Sequence, residues 1–261
     1  MVVCSGLAGR GQADTVTAKL GKPVTADLVG ITYGTKSGHG YAGVIPWSNA
    51  TYSPSNSPYA SSIGTSFYSF CVDLGHNIFV GSSYTYTILN TGSNSGNLDS
   101  LGGISLLSGS AQTGAVNSLG KLYSIYYNSW VSGSANSLLP TYSANDTAAA
   151  FQIAIWDIIY GMNGYTVSSG TPKTLGSTMV SSLTQSKYNS VTPTTLLGLQ
   201  GVKINGKDSA QDQALLPLFA GSPPGGPSTP LPNAFVSGVV LLGTLCGVNL
   251  WKIQADKRKQ V

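Results

Sequence analysis

Glutamate is absent from this chain: all nine acidic residues are aspartates, charged residues make up 8% of the whole, and histidine occurs twice. Exposed faces with so few charges must be solvated mainly by hydroxyls and amides, a composition that suits a secreted or surface β-rich protein better than a cytosolic enzyme. Two histidines and scattered aspartates offer no ligand spacing of the zinc or calcium kind, so no metal or other cofactor is expected. A basic stripe is missing too. Of 13 cations, five lie at the ends: Arg10, Lys252, Lys257, Arg258 and Lys259. With these and Asp256 set aside, eight basic residues balance eight acidic ones. Nothing there neutralises phosphates, which argues against nucleic-acid binding. The string GLAGRGQ lies in the signal remnant described below, so its glycines are no phosphate loop. Cysteine is scarce, at positions 4, 71 and 246 only.

One long apolar run is present. Residues 234–251, AFVSGVVLLGTLCGVNLW, are long enough as a helix to cross a bilayer, and the basic tail 252–261 follows directly. The positive-inside tendency makes that tail cytoplasmic and everything before it exported. Residues 221–233, rich in proline and glycine, read as a linker or stalk. Proline motif, apolar span and basic end, in that order, resemble the PEP-CTERM sorting signal, which implies an exosortase-like processing enzyme; Pro230-Leu231-Pro232 stands where that family carries Pro-Glu-Pro. At the other end, residues 1–13 read as the remnant of a signal peptide, with small residues Gly11 and Ala13 before Asp14. On this reading Cys71 is the one thiol left outside the membrane.

Between these addresses, residues 14–220 read as one domain. From Thr15 to about Thr87, alternating or β-branched runs broken by Gly, Pro and Asn predict a β-barrel or β-sandwich. Residues 88–115 read as loop. Helical spacing follows in 115–131, then more strongly in NDTAAAFQIAIWDIIYG, residues 145–161, with Asn145 or Asp146 as cap and Gly161 at the close, and weakly in 174–188. TTLLGLQGVKING and DQALLPLF predict returning strands. The fold class is α+β: a β-barrel or sandwich with an inserted helical subdomain, then a single C-terminal transmembrane helix.

Two short motifs carry chemistry. Phe70-Cys71-Val72-Asp73 lies on a predicted strand, and Gln152-Ile153-Ala154-Ile155-Trp156 on the strongest predicted helix. Together they resemble the thioester domain of bacterial surface proteins, whose paired motifs are an aromatic or Leu, Cys, an apolar residue and Asp or Asn, then Gln-x-Ala-apolar-Trp. The resemblance implies a covalent bond between Cys71 Sγ and the Gln152 side-chain carbonyl, formed with loss of ammonia, in a protein that is reactive once rather than a turnover enzyme. It implies an amine-bearing partner, a lysine on another surface protein or matrix component, that attacks the carbonyl and expels the thiol. A lowered Cys71 pKa would assist formation. Phe70, Phe151 and Trp156 are candidates for an apolar wall against water, Trp156 lying one turn from Gln152. Ala154 leaves room in the packing, Asp73 shares the face of Cys71 if the strand continues, and His76 and Asp73 are candidate proton acceptors.

Two other readings stand beside this one. Cys71 with His39 or His76 and Asp157 would make a cysteine hydrolase. A non-covalent adhesive or structural β-domain would use tyrosine-rich strands as its binding surface and leave Cys71 as a buried core residue.

Overall fold

The computed structural model describes residues 13–22, 25–90, 95–127, 142–161, 164–204, 207–208 and 210–215. The signal remnant, the 221–233 linker, the 234–251 span and the basic tail therefore lie outside the described residues, apart from residue 13. Among the described residues no helix is long and apolar enough to cross a membrane.

The architecture is α+β around a closed six-stranded barrel. Its strands are β1 (Thr15–Leu20), β4 (Ile45–Ser53), β5 (Phe67–Cys71), β6 (Ser83–Asn90), β8 (Leu197–Gly201) and β11 (Gln213–Leu215), in the spatial order β1-β4-β5-β11-β8-β6. Period-two alternation explains β1, which turns Val16, Ala18 and Leu20 inward. On β4 the inward residues are Trp47 and Ala50, three apart. An irregularity in the β1–β4 register accounts for this: Lys19 pairs with Ser48 and Thr17 with Thr51, so one residue of β1 faces two of β4, and Asn49 takes a positive φ of 54°. The barrel closes on Trp47, Phe67, Tyr86, Ile88, Leu197 and Leu199.

The first half of the chain is not one sheet. β2 (Ala26–Tyr33) and β3 (Lys36–Gly43) form a hairpin that leaves the barrel and pairs through β2 with β7 (Tyr165–Val167), giving a separate sheet in the order β3-β2-β7. Gly43 makes the switch between the two sheets. Its φ of +151° suits glycine, and a Cβ there would run into Thr25 and Ala26. Two further strands, β9 (Lys203–Ile204) and β10 (Lys207–Asp208), make a short ladder.

Most of the helices lie in the chain between β6 and β8, which are themselves paired in the barrel. A short α1 (Tyr59–Ile63) precedes β5; α2 (Gly109–Leu122) runs on into a π-helical turn, Tyr123–Tyr127; α3 is Ala144–Tyr160 and α4 Thr171–Ser182. Residues 88–115, expected as loop, instead hold the end of β6, single 3-10 turns at Ser95–Ser100 and Ile104–Leu106, and the start of α2. Their Gly and Ser content hid short elements that packing stabilises. At α3 the cap is Ser143, not Asn145 or Asp146: its hydroxyl oxygen accepts the Asp146 N–H at 3.0 Å and donates to the Asp146 carboxylate at 2.7 Å. Every residue from Thr147 to Trp156 is buried. A helix buried all round lies inside the molecule. Here α3 packs on α4, β2, β3 and β5, and each fully buried Ile on it contributes on the order of 2 kcal/mol.

Candidate functional site

Cys71 is the last residue of β5, paired to Gln213 of β11. The strand does not continue to Asp73, so the same-face argument for that residue fails. Instead the Val72 N–H is bound by the Asp212 carbonyl at 3.0 Å, and the Val72 carbonyl accepts from Gly103 N–H at 3.3 Å and from the Tyr160 hydroxyl at 3.2 Å. The chain turns there. Asp73 stabilises the turn with its carboxylate: Oδ1 accepts the Gly75 N–H at 2.7 Å and Oδ2 pairs with His76 Nδ1 at 2.6 Å.

The central α3 brings Gln152 against this turn. Its Oε1 accepts the Cys71 backbone N–H at 2.9 Å, and its Nε2 donates to the Cys71 carbonyl at 2.8 Å. The side-chain amide is thus docked on the Cys71 main chain by two bonds, at a position where Gln152 is 1% exposed and Cys71 3%. A buried amide needs both partners, and here it has them. The sulfur donates to the Asp73 carbonyl at 2.9 Å and accepts from the Asp73 N–H at 3.3 Å.

The expected lowering of the Cys71 pKa is not what the site provides. Burial pushes the thiol well above its usual range, and the negative charges of Asp73 and Asp212 add to that; hydrogen bonding from the Asp73 backbone and the Trp156 indole acts in the opposite direction. The Trp156 N–H is itself buried with no other hydrogen-bond partner. Wherever Cys71 carries a free thiol, these surroundings favour its neutral form.

The aromatic residues fall into two groups. Phe70 and Phe151 lie with ring centres 4.7 Å apart, joined by Tyr123 and Tyr127, and pack β5 against α3 beside the Cys71–Gln152 contact. Trp156 belongs to a second group, edge-on to Tyr165 at 6.2 Å. Ala154 is fully buried within α3.

A cavity of about 560 Å³ opens beside Trp156, walled by β2 and β3 on one side and by residues 74–80 on the other. Both histidines line it: His39 from β3 and His76 from the turn. Asp157 is elsewhere, facing Lys173 and Ser177 on α4, with its pKa raised by burial and lowered in part by those two groups. The hydrolase set with Asp157 is therefore not brought together.

Three supporting residues carry no motif in the sequence. Tyr160 donates to Val72 and accepts the Leu74 N–H at 3.1 Å, clamping both sides of the turn. Its spacing of four from Trp156 and eight from Gln152 was a legible signal for a shared face. Gln211 donates to the carbonyls of Asp73 and His76 at 2.8 and 3.0 Å. Gln213 accepts from Ser69, which in turn accepts from Trp47, linking the turn to the barrel interior. No pattern marks either glutamine, since each acts through a neighbour that only folding supplies. Among the described residues no group of His, Cys and Asp is arranged to hold a metal ion.

No family model, no curated protein and no solved structure matches this chain.

Proposed function

We propose that this is an exported envelope protein whose domain stores an acyl electrophile, an internal thioester between Cys71 and Gln152, and spends it once to attach covalently to an amine on a partner surface protein or matrix component. What supports the reading above all is the double hydrogen bond that seats the Gln152 amide on the Cys71 backbone. The Cys71 N–H on Oε1 polarises the carbonyl and remains in place for the oxyanion that forms when sulfur attacks, the kind of prearranged donor that lowers such barriers. Seating the amide on the main chain of the residue that carries the thiol brings the two groups near each other, and such proximity supplies further kcal/mol.

The steps balance. The Cys71 thiol adds to the Gln152 carbonyl carbon, its proton passes to the amide nitrogen, and the C–N bond breaks to release ammonia. An incoming amine later adds to the same carbon, the C–S bond breaks, and the amine's proton ends on sulfur, regenerating the thiol and leaving an amide. Between the two events burial protects the thioester from water.

In this reading residues 221–233 are the stalk and 234–251 a membrane anchor or a sorting segment recognised by an exosortase-like enzyme. A non-covalent adhesive domain is the second reading, favoured by the exposed aromatics Tyr41, Tyr68 and Phe79. A cysteine hydrolase is disfavoured by the placement of Asp157, which faces Lys173 and Ser177.

Intact mass decides between them. The purified full chain is expected to be lighter by one ammonia, to gain one methylamine on incubation with that amine, and to yield a Cys71–Gln152 crosslinked peptide; Cys71→Ala loses all three signals. An unmodified mass with a Cys71 thiol that titrates in the folded protein would leave the non-covalent reading standing alone.

A further inference from the structure

A thioester at this position is sealed on most sides, so the route by which a nucleophile reaches it is a structural question in its own right. The cavity of about 560 Å³ beside Trp156 borders the site, and its size falls in the range of small-ligand pockets, ~300–1,000 Å³. Tyr33, Tyr41 and Phe79 give it aromatic walls, while Leu74, His76 and Gln211 bring it up to the turn that holds the sulfur. Neither Cys71 nor Gln152 lines it, but Trp156 does, and the indole N–H of Trp156, a buried donor without another partner, acts on the Cys71 sulfur, so this one side chain stands between cavity and thiol.

His76 lines that cavity and is held there by Asp73. A carboxylate only accepts, so the 2.6 Å contact makes Nδ1–H the donor to Asp73 Oδ2 and puts the ring's acceptor lone pair on Nε2. The same Asp73 bonds the Cys71 sulfur through its own backbone. Base and leaving group are therefore fixed by one residue.

We propose that this cavity is the acceptor channel, taking a lysine side chain end-on to the Gln152 carbonyl, with His76 as the base that removes the amine's proton and Trp156 and the Asp73 N–H as donors to the departing sulfur. The inference rests on the thioester reading. Depth selects the side chain: with Gln152 at 1% exposure the nucleophile must sit on a slender arm, and the methylenes of lysine suit aromatic walls. The amine adds to the carbonyl carbon as its proton moves to His76 Nε2; the C–S bond breaks with the electron pair on sulfur; His76 then returns the proton to sulfur. Two N–H groups beside the sulfur matter because burial makes its thiolate a poor leaving group. The titratable groups that face His76 are Asp73 on its own turn, Lys36, His39, Tyr33 and Tyr41 across the cavity, and Tyr160 behind the turn.

The test follows adduct formation on the full chain by intact mass, with Nα-acetyl-lysine amide, methylamine and methoxyamine as probes over a range of pH. Methoxyamine is unprotonated at neutral pH and needs little help from a base. For the wild type the rate with the lysine probe is expected to show an inflection from the histidine base beyond the amine's own titration. His76→Gln, which keeps a donor to Asp73, is expected to lose that inflection and slow the lysine probe about 100-fold, with a much smaller loss for methoxyamine. A fold defect would slow all probes alike. Gly38→Trp supplies a second arm: Gly38 lines the cavity and a Cβ added there meets nothing within 4 Å, so a bulky side chain should slow the lysine probe far more than methylamine. The inference is overturned if the wild type loses ammonia and reacts, yet His76→Gln keeps the lysine rate and its pH profile, or if His39→Gln removes the inflection instead, or if Gly38→Trp affects all probes equally. A wild type that never loses ammonia overturns the thioester reading together with the channel.

Discussion

Gln152 and Cys71 are bound to each other through different parts of themselves, and this makes their substitutions unequal. Gln152 uses its side chain, whereas Cys71 offers its backbone N–H and C=O. Removing the amide in Gln152→Ala strands two buried backbone groups and is expected to destabilise by roughly 2–4 kcal/mol, at ~1–3 kcal/mol per unsatisfied group less what water or relaxation recovers. Cys71→Ala keeps both bonds and is expected to cost only about 1 kcal/mol. Chemical denaturation of the two variants, with any crosslink first cleaved by an amine in the reference protein, checks the order; equal losses would mean that the amide is not docked as described. At this scale the nearness of Cys71 and Gln152 was legible, because the paired motifs name both residues. The electrostatics of the pair were not: a thiol's pKa depends on depth of burial and on Asp212, 141 positions away in the chain.

Elements succeed or fail by what they pack on. Helix α3 was readable from its alanines and its spacing, yet its cap was missed because Ser143 lies one residue before the helix and two before the expected start. Ser143→Ala is expected to cost about 1 kcal/mol, read as a lower midpoint in thermal unfolding with little change in any reaction at Cys71. The 3-10 segment around residues 101–106 was unreadable. Gly102 and Gly103 permit it: a Cβ on Gly102 would approach Asp73 Cβ to 2.7 Å, and one on Gly103 would land on the Tyr160 ring. Gly103→Ala is therefore expected to destabilise by about 1–3 kcal/mol and also to pull Tyr160 off the turn, so that thioester yield falls along with stability. A variant that loses stability but keeps full ammonia loss would show that Tyr160 does not position the turn.

On the scale of the whole molecule, tyrosine takes the place that charge has in other proteins. Tyr86, Tyr123, Tyr160 and Tyr165 have hydroxyl pKa values raised well above the ordinary ~10, and Tyr52 and Tyr127 are raised to about 12, in every case mainly by burial. A folded pKa above the unfolded one means that the stabilisation is complete below the unfolded value and is lost as pH rises through the folded value. Stability should thus hold to about pH 10 and collapse above it, with the buried tyrosines ionising only as the protein unfolds. Absorbance titration is expected to show an early reversible phase from exposed rings and a later one coincident with loss of structure; a single reversible phase would contradict the burial. The sequence by itself determined the α+β class, the strand-rich first half, the main helix and the two residues of the pair, since alternation, helical spacing and short motifs are local properties. Only the tertiary structure decided that β2 and β3 leave the barrel, that Asp73 turns away from the strand, and that a cavity with both histidines opens beside Trp156. Those outcomes depend on contacts between residues far apart in the chain, where each partner's identity is visible but its nearness is not.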